Sequence, residues 1–301
     1  MPINCSGFTQ HKKGELLTYT ADRFIEAGFM HFFAARFGGV SSGAFDSLNV
    51  STTRTDKNGL CDKRENVLEN YARALSLLDV LPEDCVTTVQ VHSDRILRVK
   101  EEDTGKGILP HKPPMEDCDG LILDPSNHKT KGICIKTADC VPILFANIKT
   151  GTVAAVHAGW RGTTANIAGK AAALLAKESS PDDVIAAIGP HIGFCCYEVG
   201  ESVYHAANNL LLSVFASHFD IFDYFTPYPS CSLGCGKYNV SLAKLNKALI
   251  ANVGISENNI SVCNICTCCS KNEKNENLFF SHRASGGYSG TFLTAIRSAL
   301  V

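Results

Sequence analysis

Apolar positions along this chain recur in two periods, and the switches between them lay out strands and helices. Strand-like runs follow one another at 132–137, 141–147 and 152–157. The third leads into Ala158-Gly159-Trp160-Arg161-Gly162, after which an alanine-rich helix is predicted from near Thr163 to about Lys177. Residues 62–79 place Val67, Leu68, Tyr71, Leu75 and Leu78 on one helical face, with Asp62 in the N-cap position. Another strand is predicted at 184–189, a long helix at 198–216 and a further helix at 241–253. Residues 24–50 read as a hairpin or two strands broken by Gly38-Gly39 and Gly43. Residues 85–91 are β-rich and run into His92. A proline-containing loop spans about 101–118, and 291–299 closes the chain as a strand or helix. No repeat or low-complexity linker intervenes. The predicted architecture is a single α+β (mixed α/β) domain over 1–301, with mixed sheets flanked by helices.

Composition narrows what such a domain does. The net charge is −2, and no basic stretch exceeds Lys12-Lys13, so nucleic acid is not an expected partner. No apolar run approaches the roughly 20 residues of a membrane span, and the start, Met1-Pro2-Ile3-Asn4-Cys5, lacks a basic segment followed by an apolar block. The 14 cysteines are therefore expected to be reduced thiols in a cytoplasmic protein, with a minority free to bind metal.

Hairpin register picks out one such site. A turn centred on Ile148-Lys149-Thr150-Gly151 sets residue 142 opposite His157. Cys140, two residues from 142, then points to the same face, within the roughly 7–8 Å of diagonal cross-strand neighbours. A zinc ion with Zn–S near 2.3 Å and Zn–N near 2.1 Å spans that gap. His92, in Gln90-Val91-His92-Ser93-Asp94, is a third candidate, although spacing does not bring it near the others. Three protein ligands leave a fourth position for water or substrate, the arrangement of a catalytic rather than a structural zinc.

The surrounding motifs add a family. Thr137-Ala138-Asp139-Cys140-Val141-Pro142-Ile143-Leu144, Ala154-Ala155-Val156-His157-Ala158-Gly159-Trp160-Arg161-Gly162 and Gly189-Pro190-His191-Ile192 with Cys196-Tyr197-Glu198-Val199-Gly200 resemble the YfiH, or laccase-domain, proteins. These are also called multicopper polyphenol oxidases. The resemblance extends through Arg36-Phe37-Gly38-Gly39, Gln90-Val91-His92, Cys118-Asp119-Gly120, Cys266-Thr267 and Phe279-Phe280-Ser281-His282-Arg283. It implies a YfiH-like fold, distantly shared with a toxin glutamine deamidase, and zinc held by His92, Cys140 and His157. It implies zinc-dependent phosphorolysis of purine nucleosides, with phosphate as co-substrate, and adenosine deamination. On the same basis Arg36, Gln90, Asp119, Glu198 and Arg283 are candidate substrate-binding residues. The chain departs from the family where His282 replaces a tyrosine and Thr291 an arginine. Copper oxidation is disfavoured on chemistry: there are ten histidines but no His-x-His pair, and only three methionines.

For phosphorolysis, Arg161 just before a helix start makes an oxyanion site, and Arg36 in a glycine-flanked loop is a second. Asp139 or Glu198 is placed for acid–base work, unless Asp139 instead orients a metal-bound histidine. The catalytic candidates are thus Cys140, Asp139 and Arg161. Two alternatives compete: a metal-free hydrolase with Cys140 as nucleophile and His157 as base, and a non-enzymatic zinc-binding protein using the run Cys263, Cys266, Cys268 and Cys269.

Overall fold

Two six-stranded sheets face one another, with helices on both outer surfaces. The computed structural model describes residues 5–216, 219–227 and 236–298. Strands run in chain order as β1 (Phe8–Lys13), β2 (Leu16–Ala21), β3 (His31–Ala34), β4 (Cys85–Val86), β5 (Ile96–Arg98), β6 (Gly120–Leu123), β7 (Gly132–Thr137), β8 (Val141–Asn147), β9 (Val153–Ala158), β10 (Val184–Ile188), β11 (Glu198–Gly200), β12 (Phe225–Pro227), β13 (Lys237–Val240), β14 (Ile260–Val262) and β15 (Phe292–Arg297). One sheet has the order β1-β2-β3-β15-β7-β4 and the other β14-β10-β8-β9-β6-β5; β11, β13 and β12 form a small third sheet.

Both faces of the central strands are buried, so they read as near-continuous apolar runs. In β8, Val141, Ile143 and Phe145 pack outward against helices, while Leu144 and Ala146 face the opposing sheet. The outer layer on that side includes α4 (Ile167–Ala176) and α6 (Leu242–Ala251). In α4, Ile167, Ala168, Ala171, Ala172 and Leu175 lie along one face; their small size lets the helix sit close on the strands. On the other outer face α2 (Arg64–Leu75) buries Val67, Tyr71 and Leu75, as its periodicity predicts, with Leu78 in the 3-10 turn that follows. Its N-cap is Lys63; the Asp62 carboxylate accepts from Lys63 N–H and the Asn66 amide one step earlier.

Several boundaries move, each for a local reason. Residues 24–50 contain only one strand, β3, preceded by the short helix α1 (Asp22–Glu26). Beyond β3 the chain doubles back so tightly that a side chain at Gly39 would collide with the Ser47 carbonyl. The β-rich stretch after Cys85 leaves the sheet at Val86, bridges Met115 at Thr88, and only then turns its Val91 N–H towards a buried carboxylate. The helix predicted from Thr163 begins earlier, as α3 (Trp160–Thr164). It breaks at Asn166, whose positive φ of 62° ends one helix and whose side chain caps α4. The segment 198–216 opens as β11 before becoming α5 (Glu201–Phe215). The closing element is a strand; residue 299 lies outside the described residues. Among the described residues, no helix is long and apolar enough to cross a membrane.

Candidate metal centre

The β8–β9 hairpin has the register that its turn demands. Pro142 lies opposite His157, and Cys140 immediately precedes β8. His157 shares parity with Val153 and Ala155, which face the opposing sheet, so its ring enters the space between the sheets at their end. Cys140 has the parity of Leu144 and Ala146 and meets it there. Gly159 closes the floor: a Cβ on it would lie 2.7 Å from His92 Cδ2 and 3.1 Å from Cys140 Sγ.

His92 arrives by a different route. It lies not at a strand end but in a loop, with φ of 63°. Asp119 holds it there. This carboxylate, fully buried, accepts the N–H groups of Val91 (3.1 Å), His92 (3.0 Å) and Ser93 (2.7 Å) and the Ser93 hydroxyl (2.8 Å). It also accepts Nδ1–H of His157 at 2.7 Å, which leaves His157 Nε2 free to face Cys140. One buried side chain therefore folds the His92 loop and fixes the His157 ring. Burial raises the Asp119 pKa, but the His157 and Ser93 contacts outweigh it and hold the carboxyl below its ordinary value.

The geometry fits a tetrahedral ion. Bonds near 2.3 Å to sulfur and 2.1 Å to nitrogen separate S and N by about 3.6 Å at a tetrahedral angle; Cys140 Sγ and His92 Nε2 are 3.8 Å apart. All three donor atoms lie within 4.8 Å of one another, with the two rings nearly perpendicular. Charge follows the same pattern. Burial pushes the Cys140 thiol up, yet His157 and His92 bring it down to about 6. At His31, the first residue of β3, burial, aided by the nearby His11, outweighs the bond to the Phe29 carbonyl and pushes the imidazole down to about 4. At His157 the Cys140 thiolate and Asp119 overcome that same burial, and the value rises to about 9.

A rim of cations stands over this floor. Tyr197, held above its ordinary pKa mainly by burial, is within electrostatic reach of Cys140, Arg283, Asp139 and Arg161. His282 is within reach of Arg54, Asp139, Arg283 and His92 and accepts from Arg54 at 3.2 Å. Arg161 is the second residue of the five-residue α3 rather than a residue preceding a helix, and its guanidinium lies 4.4 Å over the Trp160 ring.

The remaining sequence candidates make contacts within the protein. Asp139 hydrogen-bonds to neither His92 nor His157. With φ of 94°, it accepts from Thr267 Oγ1 (2.6 Å), Ser281 Oγ (3.0 Å) and Arg283 N–H (2.7 Å), so the strained residue before Cys140 is pinned at three points. The histidine-orienting carboxylate is Asp119, whose buried oxygens are engaged by Val91, His92, Ser93 and His157. Gln90 uses its amide as a strand neighbour would, bonding Lys136 N–H and C=O at 2.8 and 2.6 Å. Arg36 donates to the Asp46 carbonyl and stacks on Phe280, with Asp46 and Glu276 as its charged neighbours. Glu198 pairs with Lys237 at 2.9 Å. Arg283 braces the Glu198 carbonyl at 2.9 Å while its charge faces Tyr197. Three rim residues, Arg54, Tyr197 and His282, were not among the sequence candidates; nothing local marks Arg54.

Fold and site define a class: a two-sheet α/β protein with a three-donor His–Cys–His centre at the end of a strand pair. The chain belongs to the family described as multi-copper polyphenol oxidoreductase laccase, which matches residues 30–299. It is similar to a purine nucleoside phosphorylase of Bacteroides thetaiotaomicron, 32% identical over 271 residues, covering 88% of this chain and 90% of the relative. It is also 31% identical to adenosine deaminase RL5 of an unknown prokaryotic organism, over 82% of this chain and 92% of that one. The crystal structure of Bacillus licheniformis hypothetical protein YfiH has a TM-score of 0.82 at 27% identity, over 98% of this chain and 100% of that chain.

Proposed function

We propose that this chain is a zinc-dependent purine nucleoside phosphorylase, with residues 1–301 acting as one catalytic unit. The observation that carries the reading is the His92–Cys140–His157 donor set, with its Asp119 support, beneath a cationic rim. Relatives named for the activity agree with it. An N, N, S set suits zinc, and three protein ligands leave one position open. A blue-copper centre wants a weak axial thioether. Met30 instead touches Arg297 and Met115 lies in the inter-sheet core.

When bound, the ion supplies a Lewis-acid position that polarises an oxygen. The protein's own groups do the rest. Arg54, Arg161 and Arg283 bind phosphate and hold it towards the anomeric carbon. A phosphate oxygen forms the new bond to C1′ as the C1′–N bond breaks. That bonding pair leaves on the purine, which takes up a proton. Tyr197, protonated at neutral pH, donates a hydrogen bond to the departing base. The products are free base and ribose 1-phosphate. Adenosine deamination is a second reading of the same centre, favoured by the relative that bears that name.

The test is chromatography of adenosine and inosine incubated with metal-loaded protein, with and without phosphate. Phosphate-dependent release of adenine or hypoxanthine is expected. Inosine formed from adenosine without phosphate marks the deaminase. No base from any purine nucleoside sinks the phosphorylase assignment. Full turnover of another substrate after chelation turns the reading towards the Cys140–His157 hydrolase.

A further inference from the structure

A second gathering of thiols lies outside this centre. Cys195 and Cys196 sit on the turn after β10. Cys266 and Cys269 come from the loop after β14. All four sulfurs lie within 4.8 Å of one another. The cysteine-rich run in the sequence does not supply the set by itself. Cys263 turns inward against Cys5, and the Cys268 thiol faces Ser281 and Cys196.

Core packing does not explain the arrangement, because Cys195 and Cys269 are exposed. Four small apolar side chains gain nothing by converging at a surface. Ion coordination does explain it. Sulfurs on a tetrahedral zinc, at about 2.3 Å each, stand about 3.8 Å apart; Cys195 and Cys269 are 3.6 Å apart. Cys266 Sγ accepts the Gly193 N–H at 3.2 Å, and the nearby Cys268 and Cys269 backbone N–H groups help to hold its pKa below the ordinary value. Such donors stabilise a thiolate and orient it, as outer-shell partners of metal ligands do. Residue 193 has to be small: a Cβ there would lie 3.2 Å from Cys266 Cβ and 3.3 Å from Cys195 Sγ. A cleft of about 590 Å³, lined by Gly193, Cys195 and Cys266 among others, gives an ion a route in. That cleft lies beside these cysteines rather than at His92, Cys140 and His157.

We infer that Cys195, Cys196, Cys266 and Cys269 form a second, structural metal site, a closed tetrathiolate that takes zinc. Four protein ligands leave no open position, so the site is a staple rather than a reaction centre. What it staples is specific. Tyr197 follows Cys196 directly. Thr267 follows Cys266 and donates to Asp139, the neighbour of Cys140. The ion ties together the two loops that frame the catalytic rim.

The test is metal binding alone, independent of any substrate. Wild-type protein reconstituted with cadmium-113 should give two NMR resonances, one at the strongly deshielded position of a tetrathiolate. In cobalt-substituted protein the tetrathiolate charge-transfer spectrum should persist in His92→Ala/His157→Ala and vanish in Cys195→Ser/Cys269→Ser. Metal content should fall from two ions per chain to one in either double variant. A single cadmium resonance from wild type would overturn the site whether or not the variants fold. So would a Cys195–Cys269 disulfide in freshly purified, metal-replete protein. Alkylation of these four thiols in zinc-loaded protein as fast as exposed Cys61 would do the same.

Discussion

The two sulfur centres of this molecule are built in opposite ways. The His–Cys–His centre stands where two paired strands end, and a fully buried carboxylate fixes the His157 ring and the backbone that carries His92. The cysteine cluster hangs between two surface loops, is half exposed, and is held by the Gly193 N–H and neighbouring thiols rather than by a buried carboxylate like Asp119. A centre aimed by strands keeps its shape without its ion and so can leave a coordination position open. A centre made of loops takes its shape from the ion and must be closed. Removing a ligand should therefore abolish chemistry at the first and loosen structure at the second.

The largest contrast is between Cys140→Ala and Cys269→Ser. Cys140 supplies one donor of three and the only charged one. Its loss should strip the catalytic ion and bring nucleoside turnover below detection, with little change in thermal midpoint. Cys269→Ser should leave turnover within about tenfold and lower the midpoint instead. Loss of the ion with its fourth ligand removes a cross-link between the two loops, which for a disulfide costs on the order of 2–4 kcal/mol. Paired metal analysis, chromatography and calorimetry separate the two. If both variants lose activity alike while keeping their midpoints, the division of roles is wrong.

Next in size is Asp119→Asn. An amide presents N–H₂ where the carboxylate accepted from His157 and from the Val91–Ser93 backbone. Losing such a partner typically costs 10–100-fold in metal affinity, and the unpaired buried donors cost about 1–3 kcal/mol of stability. Competition with a zinc chelator reads the first, and urea unfolding the second. Unchanged zinc affinity would show that hairpin register alone holds the rings.

The contrast between the centres also explains what the sequence disclosed. Cys140 and His157 were legible because a four-residue turn fixes strand register, and register fixes which side chains share a face. The family resemblance was legible from contiguous motifs, as the match over residues 30–299 shows, and the mixed α/β fold from periodicity and the same motifs, as the likeness to the YfiH structure shows. His92 was legible only through its motif, because a loop folded onto a distant carboxylate leaves no periodic trace. Asp119, expected at the substrate, and Asp139, expected in acid–base work or at a histidine, could not be told apart for the same reason. Only tertiary structure shows that Asp119 meets a histidine while Asp139, beside Cys140 in sequence, clamps Thr267, Ser281 and Arg283. The cysteine cluster was half visible: Cys266 and Cys269 have the spacing of a metal knuckle, but their partners lie about seventy residues earlier, on the turn that carries Cys195 and Cys196.

A smaller and purely steric effect is expected at Gly159. Its φ of −70° suits alanine, so backbone strain does not enter. The added methyl would instead sit 2.7 Å from His92 Cδ2, closer than real side chains approach. Gly159→Ala should displace His92 and weaken zinc binding by about tenfold, the lower end of what a disturbed ligand support costs. The thermal midpoint and the cysteine cluster should be unaffected. Wild-type zinc affinity in Gly159→Ala would mean that the His92 loop moves freely, and that Asp119 does not hold it as described.

The smallest effect should lie at the rim, at Arg54. Its guanidinium donates to His282 Nδ1 at 3.2 Å, which requires that nitrogen to be unprotonated. Burial and the neighbouring Arg54 charge both lower the His282 pKa, consistent with a neutral ring at neutral pH. The pair therefore presents one net positive charge beside His92, available to an anion. Because Arg54 is only half-buried, water screens it, and exposed charge pairs contribute roughly 0.2–1 kcal/mol. Arg54→Ala should raise KM for phosphate by at most about fivefold while leaving kcat and zinc content unchanged. Arg161→Ala should cost more, about ten- to hundredfold, if a charge-assisted hydrogen bond worth roughly 1.5–3 kcal/mol is lost. High salt should shrink the Arg54 effect more than the Arg161 effect. A change in kcat for Arg54→Ala at saturating phosphate would move Arg54 from binding the anion to shaping the reaction itself, and the rim would then be part of the centre rather than its surround.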